Sequence, residues 1–383
     1  MTVSDGAVAI HSISTHHLSA PLNQPRRNAF GVMRTRPALL VSVTLDDGAV
    51  GWGEVFANWP VFGAHHRARI ISELLAPLTC KHHFESPHDL YLSLEQSTAA
   101  LAIQCGEPGP FAQCIAGIEI AVTDAVARRA GLPLWRWLNG HHKAVSDRRP
   151  TRVYASGLTS DSIEQIVPFL RDSGWTAFKL KVGFGERQDR QTLERLFALA
   201  GPAVDIMVDA NQKWSLENAL YHIAWLQDYP LLWVEEPIRA DSPHADWQEL
   251  CAASRIPIAA GENLRGQAAF AAAVAAGVAV VQPDPIKWGG LSGSRSILQG
   301  LKNGVSFAPH CLCSGVGIAA TISLAIAEQA AFMEVDVSEN ALRTDLWDLR
   351  TRVHEGALVV PTEDGIGLHP NPEFLETWRM ADS

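Results

Sequence analysis

The chain has 383 residues, 47% of them apolar, and its 41 acidic against 31 basic side chains give a formal net charge of −10. Such a composition supports a large buried core and excludes a disordered tail. The acidic balance speaks against a nucleic-acid surface, so an anionic ligand would need cations gathered locally. The first twenty residues, MTVSDGAVAIHSISTHHLSA, lack a charged start, an apolar run and a small-residue cleavage site. Apolar runs such as 267–282 are broken by Gly, Gln or Pro. A cytoplasmic protein with no membrane span is expected.

In chain order, residues 8–15 read as a first strand. Residues 38–54, ALLVSVTLDDGAVGWGE, alternate in polarity on both sides of Asp46-Asp47-Gly48, which is a hairpin signal. From 65 to about 138 apolar residues recur at helical spacing, and Gly131-Leu-Pro133 stops the last helix. Together these segments make a small α+β domain. From 152 onward a different unit repeats: a short apolar strand, a polar residue at its end, then an amphipathic helix. Strands are predicted near 153–155, 177–182, 204–209, 232–235, 258–260, 278–282, 305–308 and 332–335. Eight such strands alternating with helices fit a parallel barrel. A doubly wound nucleotide-binding sheet fits less well, because Gly183-Phe184-Gly185 is followed by no third glycine at the required spacing. The six cysteines form no C-x-x-C pair and read as reduced thiols. The doublets His16-His17, His65-His66, His82-His83 and His141-His142 are poor chelates, since adjacent helical residues diverge by about 100°; solvated positions are expected for them.

Polar residues recur in register with the repeat. Lys179 and Lys181 come first, then Asp209, Glu235, Glu262, Asp284, His310 and Glu334, at intervals of 22 to 27 residues. One βα unit has about that length, and the C-terminal ends of barrel strands converge on one face. Asp209, Glu235 and Glu262 would repel one another by roughly 4 kcal/mol per pair at about 4 Å and an effective dielectric of about 20. Each could instead cap the helix that follows its strand, but three in register point to a bound cation, and all-oxygen ligation suits Mg²⁺. Lys179 and Lys181 are one residue apart on a strand, so both face the same way. Side by side they should lower each other's proton affinity, making one a candidate base. Asp284 and His310 end neighbouring strands, where the carboxylate can orient the imidazole and raise its basicity. A metal with a lysine on one side and a His–Asp pair on the other suits removal of a proton next to a carboxylate, because the enediolate formed needs concentrated positive charge.

With these residues in place, the chain resembles the mandelate racemase and acid-sugar dehydratase branch of the enolase superfamily. The resemblance runs through Gly51-Trp52-Gly53-Glu54, Gly117-Ile-Glu119, Lys179-Leu-Lys181, Val208-Asp209-Ala-Asn211, Glu235-Glu236-Pro237, Gly261-Glu262-Asn263, Pro283-Asp284, Gly289-Gly290, Pro309-His310 and Glu334. Enolase-superfamily sites are known to pair a Lys or His base with one or two Mg²⁺ ions.

The resemblance implies an α/β fold, a modified (β/α)7β TIM-type barrel (139–349) under an N-terminal α+β capping domain (1–138), with 350–383 returning to the cap. It implies Asp209, Glu235 (not Glu236) and Glu262 as Mg²⁺ ligands, Lys181 as one base, and Lys179 and Glu334 at the substrate carboxylate. His310 with Asp284 forms the opposing dyad, and Asn211 is a supporting contact. Two cap loops would choose the substrate: 20–35, with Arg26, Arg27, Asn28, Phe30 and Arg34, and 54–66, with Asn58, Trp59 and Phe62. Muconate cycloisomerases and dipeptide epimerases carry a lysine where this chain has Asp284, which counts against those activities. The expected partner is a small carboxylate substrate, and the resemblance implies a homo-oligomer, octamer or dimer. The expected reaction is dehydration of an aldonate or aldarate to a 2-keto-3-deoxy acid. The alternatives are racemisation or epimerisation of a 2-hydroxy acid, and a catalytically silent sugar-acid binding protein.

Overall fold

The structure is a computed structural model that describes residues 7–28, 31–60, 62–140, 151–301, 304–348 and 352–380, without the side chains of 24, 26–28 and 31. The first 138 residues build a sheet and a helical layer. Strands β1 (Val8–Asn28), β2 (Gly31–Leu45), β3 (Val50–Val55) and β4 (His83–Phe84) lie in the order β3-β2-β1-β4. The expected hairpin turn is closed by the Gly48 N–H donating to the Leu45 carbonyl at 2.9 Å. One expectation is corrected. Residues 20–35 are not a loop: β1 runs on to Asn28 and pairs with β2 as far as Asn28 opposite Gly31, with a register shift between Pro21 and Arg26.

Helices α1 (Gly63–Arg69), α2 (Ala76–Thr79), α3 (Pro87–Gln104), α4 (Pro108–Arg129) and α5 (Leu134–Leu138) follow, with a π-helical stretch at Ile70–Leu75 between α1 and α2. Among the described residues α4 alone is long and apolar enough to cross a membrane, and 89% of that stretch is buried inside the fold. It is buried because β3 lies directly on it. A Cβ on Gly51 would stand 2.1 Å from the Ala121 carbonyl, and one on Gly53 2.1 Å from that of Gly117, so the spacing of strand and helix requires glycine at both places. The histidine doublets are not uniformly solvated. His16 packs on Trp52 and His17 on His65, each half-buried, while His82 and His83 are exposed; His141 and His142 lie outside the described residues.

The barrel begins at β5 (Arg152–Leu158) and continues as α6 (Ile163–Asp172), β6 (Ala177–Lys181), α7 (Glu186–Ala200), β7 (Asp205–Asp209), α8 (Leu216–Leu226) and β8 (Leu231–Glu235). Next come α9 (His244–Ala253), β9 (Ile258–Ala260), α10 (Gln267–Ala276), β10 (Val280–Val281), α11 (Gly290–Gly300), β11 (Ser306–Phe307), α12 (Gly315–Ala327), β12 (Phe332–Asp336) and α13 (Ala341–Thr344). Neighbouring strands from β5 to β11 pair in parallel, and β12 pairs with β5. The ring is closed by the Ala331 N–H donating to the Phe307 carbonyl at 2.8 Å. Seven βα units and a closing strand are therefore present. The barrel interior holds Tyr154, Ala177, Met207, Trp233, Ala259, Val280, Ala308 and Phe332, one from each strand or its end. Because strand side chains alternate, residues two further along return to the interior one layer higher. Those residues include Lys179, Asp209, Glu235, Gln282, His310 and Glu334, so the apolar layer fixes the ring of functional side chains at the C-terminal mouth.

The segment after α13 forms a short antiparallel pair, β13 (Val353–His354) with β14 (Ala357–Leu358), attached to β5. It ends in α14 (Pro372–Thr377) against the cap, where the Ser19 N–H donates to the Trp378 carbonyl at 2.8 Å and the Met380 N–H to that of His17 at 2.9 Å.

Candidate active site

Two buried cap carboxylates lock the cap to the barrel, and a third ties it to the C-terminal segment. Glu54, at the end of β3, accepts hydrogen bonds from the Ser314 N–H (2.9 Å), the Ser314 hydroxyl (2.6 Å) and the Gly317 N–H (2.8 Å) at the start of α12. Glu119 on α4 accepts from the Leu291 N–H (2.8 Å) and the Ser292 hydroxyl (2.6 Å) at the start of α11. Asp124 joins the Trp52 and Ile366 N–H groups, at 2.8 and 2.7 Å. Two of these carboxylates sit at helix N-termini, where free N–H groups and the helix dipole favour negative charge. The cap is thereby fixed over the barrel mouth. The Asn58 amide also donates to the Leu312 carbonyl at 2.9 Å, two residues past His310.

Within the mouth, six acids meet three lysines and a histidine. Lys179, 2% exposed, pairs with Glu235 and with Glu334 at 3.0 Å, and lies 3.9 Å from Asp209. Lys181 donates to Asp209 Oδ2 at 3.1 Å and to Asn211 Oδ1 at 2.5 Å. His310 spans two acids: Nδ1 is 2.7 Å from Asp284 Oδ2 and Nε2 is 2.6 Å from Glu262 Oε2. Main-chain groups hold two of the acids beside His310, since Asp284 Oδ1 accepts from the Ile286 N–H at 3.0 Å and Glu334 accepts from the Cys311 N–H at 3.2 Å. Asn211 and Glu236, one or two residues past their strands, have positive φ of 46° and 40°, a strained conformation of the kind that collects at functional sites.

Lys179 does lower the proton affinity of Lys181, but the acids around the pair reverse the net result. Burial is the largest effect on Lys181 and lowers its pKa, as Lys179 does, but Asp209 and Glu262 together raise it above the ordinary range. Burial likewise opposes charge on Lys179, yet Glu235 and Glu334 hold its pKa well above normal. For His310 too, burial is outweighed by Glu262, Glu334 and Asp284, which raise its pKa well above that of a free imidazole. Conversely, burial pushes Glu235 up to about 7 and Glu236 well above the carboxylate range, with neighbouring acids adding to the effect.

Besides burial, the charge balance of the cluster bears on all of these shifts. With His310 protonated, the six acids Asp209, Glu235, Glu236, Glu262, Asp284 and Glu334 exceed the four cations Lys179, Lys181, Lys287 and His310 by two negative charges, and bound protons make up the deficit. A single divalent cation would remove it. The donor set is all oxygen, which suits a hard ion. Asp209 is turned to Lys181, Glu235 to Lys179 and Glu262 to His310, and among the described residues no three acidic, histidine or cysteine side chains are gathered as a preformed metal cage. Donor chemistry and charge therefore fit the ion, and ligation would replace these ion pairs.

The nine residues expected at the centre are thus brought together: Lys179, Lys181, Asp209, Asn211, Glu235, Glu262, Asp284, His310 and Glu334. Arg34 is exposed on β2, Trp59 is half-buried with its carbonyl accepting from Arg67 at 3.3 Å, and the Asn28 side chain lies outside the described residues. Four contributors had not been expected. Gln282 donates to Glu235 at 2.5 Å, and Asn263 links Glu236 to Glu262. Lys287 donates to Asn263 Oδ1 at 2.8 Å, and Glu236 is the sixth acid of the mouth. Gln282 sits two residues after the interior Val280, so strand alternation could have found it; Lys287 lies on a loop, where no periodicity applies. A cavity of about 720 Å³ lined by Asn211, Lys213, Arg239, Asn263 and Arg265 opens beside the cluster.

A capped parallel barrel with a carboxylate and lysine ring at its C-terminal mouth is the architecture of an enolase-type enzyme. Residues 11–139 match the mandelate racemase / muconate lactonizing enzyme N-terminal domain, and residues 161–374 match the enolase C-terminal domain-like family. The chain belongs to the mandelate racemase/muconate lactonizing enzyme family of the enolase superfamily.

Among its relatives of known structure is a mandelate racemase/muconate lactonizing enzyme from Bordetella bronchiseptica, 40% identical over 97% of this chain and 99% of that one, with a TM-score of 0.87. An enolase from Bradyrhizobium complexed with magnesium and mandelic acid is 26% identical over 98% of this chain and 99% of that one, with a TM-score of 0.83. The D-galactarolactone cycloisomerase of Agrobacterium fabrum is 27% identical, covering 97% of this chain and 99% of its own.

Proposed function

We propose that this enzyme removes the proton α to the carboxylate of an acid sugar and eliminates the β-hydroxyl, giving a 2-keto-3-deoxy acid. The observation that carries the reading is that Lys181, from β6, and the His310–Asp284 pair, from the segments after β11 and β10, meet one carboxylate cluster, where they can serve as proton-transfer groups. Asp209, Glu235 and Glu262 would hold Mg²⁺, which supplies the positive charge that stabilises an enediolate. The relative bound to magnesium and mandelic acid supports both the ion and a small hydroxy-acid substrate, and the galactarolactone enzyme supports a sugar-acid derivative.

Lys179 stands between Glu235 and Glu334 and is placed to hold the substrate carboxylate, its charge kept by its acidic neighbours. With Asp209 committed as a metal ligand, the carboxylate that raises the Lys181 pKa would be engaged elsewhere, and Lys181 would be free to lose its proton and act as the base. Protonated His310 presents an N–H at Nε2, because Nδ1 faces Asp284. It can give that proton to the departing hydroxyl, which leaves as water while the Cα electron pair forms the new double bond; tautomerisation of the resulting enol gives the 2-keto acid.

Racemisation or epimerisation uses the same two opposed groups with no leaving group, and a substrate without a β-hydroxyl would take that course. Replacing His310 by Asn is expected to abolish dehydration, with a loss of at least about 10²-fold in kcat. Full dehydratase turnover by that variant would remove His310 from the mechanism.

A further inference from the structure

Asp209, Glu235 and Glu262 are the acids read above as the metal set, yet Glu236 lies in the same buried cluster as a fourth carboxylate. Its main chain is pinned: φ is 40°, its N–H donates to the Ala259 carbonyl at 3.0 Å, and its carbonyl accepts from the Gln212 N–H at 2.7 Å. Its side chain is held by one amide, with Asn263 Nδ2 lying 3.0 Å from Oε1 and 2.8 Å from Oε2. The same Nδ2 also lies 2.9 Å from Glu262 Oε1.

Lys287 fixes that amide. Its Nζ donates to Asn263 Oδ1 at 2.8 Å. An ammonium only donates, so Oδ1 must face the lysine and Nδ2 must face the acids. Lys287 is itself fixed by the loop after the dyad aspartate: its N–H lies 3.2 Å from Asp284 Oδ1, and Nζ stands 5.1 Å from the centre of the Phe56 ring on the cap. Nζ is also 3.8 Å from Glu262 Oε1.

We infer that Lys287, acting through Asn263, is the positioning residue that withholds Glu236 from the metal and so sets the ion preference of the site. The inference rests on the magnesium reading above. With Glu236 withheld, three carboxylates remain and positions are left for water and substrate, as Mg²⁺ prefers; a fourth carboxylate would favour the higher coordination number and looser geometry of Ca²⁺.

The test is calorimetric titration of the substrate-free protein with MgCl₂ and, separately, with CaCl₂. Lys287→Met is expected to shift the ratio of the two dissociation constants toward Ca²⁺ by at least about tenfold, from Mg²⁺-preferring wild type. Asn263→Ala, at an exposed position, should do the same without touching the lysine. Adding Glu236→Gln to Lys287→Met should return the ratio to that of wild type, which a general loosening of the loop would not do. Wild-type ratios in both Lys287→Met and Asn263→Ala would overturn this inference while leaving the metal assignment standing. Failure of the wild-type protein to bind Mg²⁺ would overturn both.

Discussion

Replacing Glu54 by alanine would remove the carboxylate that joins the end of β3 to the start of α12. Glu54 is 3% exposed and accepts from two main-chain N–H groups, those of Ser314 and Gly317, besides the Ser314 hydroxyl. The hydroxyl can turn to another acceptor, but the two amides cannot. A buried donor left without a partner costs about 1–3 kcal/mol, so the pair should cost about 4 kcal/mol. Glu54→Gln keeps one acceptor oxygen and should cost about half as much. Urea unfolding read by tryptophan fluorescence measures both variants against wild type, with an unchanged m-value confirming that the states compared are the same. Because Ser314 lies four residues past His310, kcat/KM should fall as well, even in conditions where the variant is fully folded. A loss of less than about 1 kcal/mol in Glu54→Ala would show that water takes over these amides and that the carboxylate is not what holds cap to barrel.

Binding of Mg²⁺ should stabilise the protein, since the ion relieves an excess of buried negative charge: about 2.7 kcal/mol at a concentration one hundred times Kd. Thermal unfolding with and without EDTA measures this, and Asp209→Asn should abolish the gain. Away from the metal set, Asp336 is held below the ordinary carboxylate range because Arg343 and Arg36 outweigh the effect of burial. A depressed pKa contributes stability that is present above the unfolded value of about 3.9 and is lost as pH falls from there. Asp336→Asn should therefore be destabilised by about 3–5 kcal/mol near neutrality, with the gap to wild type narrowing below about pH 4 in denaturation curves. A gap independent of pH would contradict the assignment.

The barrel was legible in the sequence because most strands carry a charged or polar residue two positions beyond an interior apolar one; β9 does not, since Gly261 stands at that spacing from Ala259. Met207 with Asp209, Trp233 with Glu235 and Phe332 with Glu334 all follow that alternation. The long β1–β2 hairpin was not legible. The resemblance implied a cap loop at 20–35, yet Asn23 donates to Glu339 at 3.1 Å through its main chain and Arg36 to the Ser338 hydroxyl at 2.6 Å, so contacts with the segment after β12 support the strand from outside. The upward shift of the Lys181 pKa was not legible for a related reason. Sequence spacing shows Lys179 two residues away but not that Asp209, from the next strand, is 3.1 Å distant. Lys287 and Asn263 act through a loop-to-loop hydrogen bond, which leaves no periodic trace. Glu54 and Glu119 stood in recognisable motifs, but their partners at helix N-termini are more than 170 residues further along the chain.

The most direct test of α-proton abstraction is proton NMR of the protein with Mg²⁺ in D₂O, against a panel of aldonic, aldaric and simple 2-hydroxy acids. Loss of the α-proton signal from an acid sugar, with a 2-keto-3-deoxy product accumulating, is the predicted result. Deuterium at the α-carbon with inversion and no loss of water would keep the proton-transfer site and change the reaction to racemisation or epimerisation. An α-proton retained in every acid that demonstrably binds the Mg²⁺-loaded protein would contradict the account.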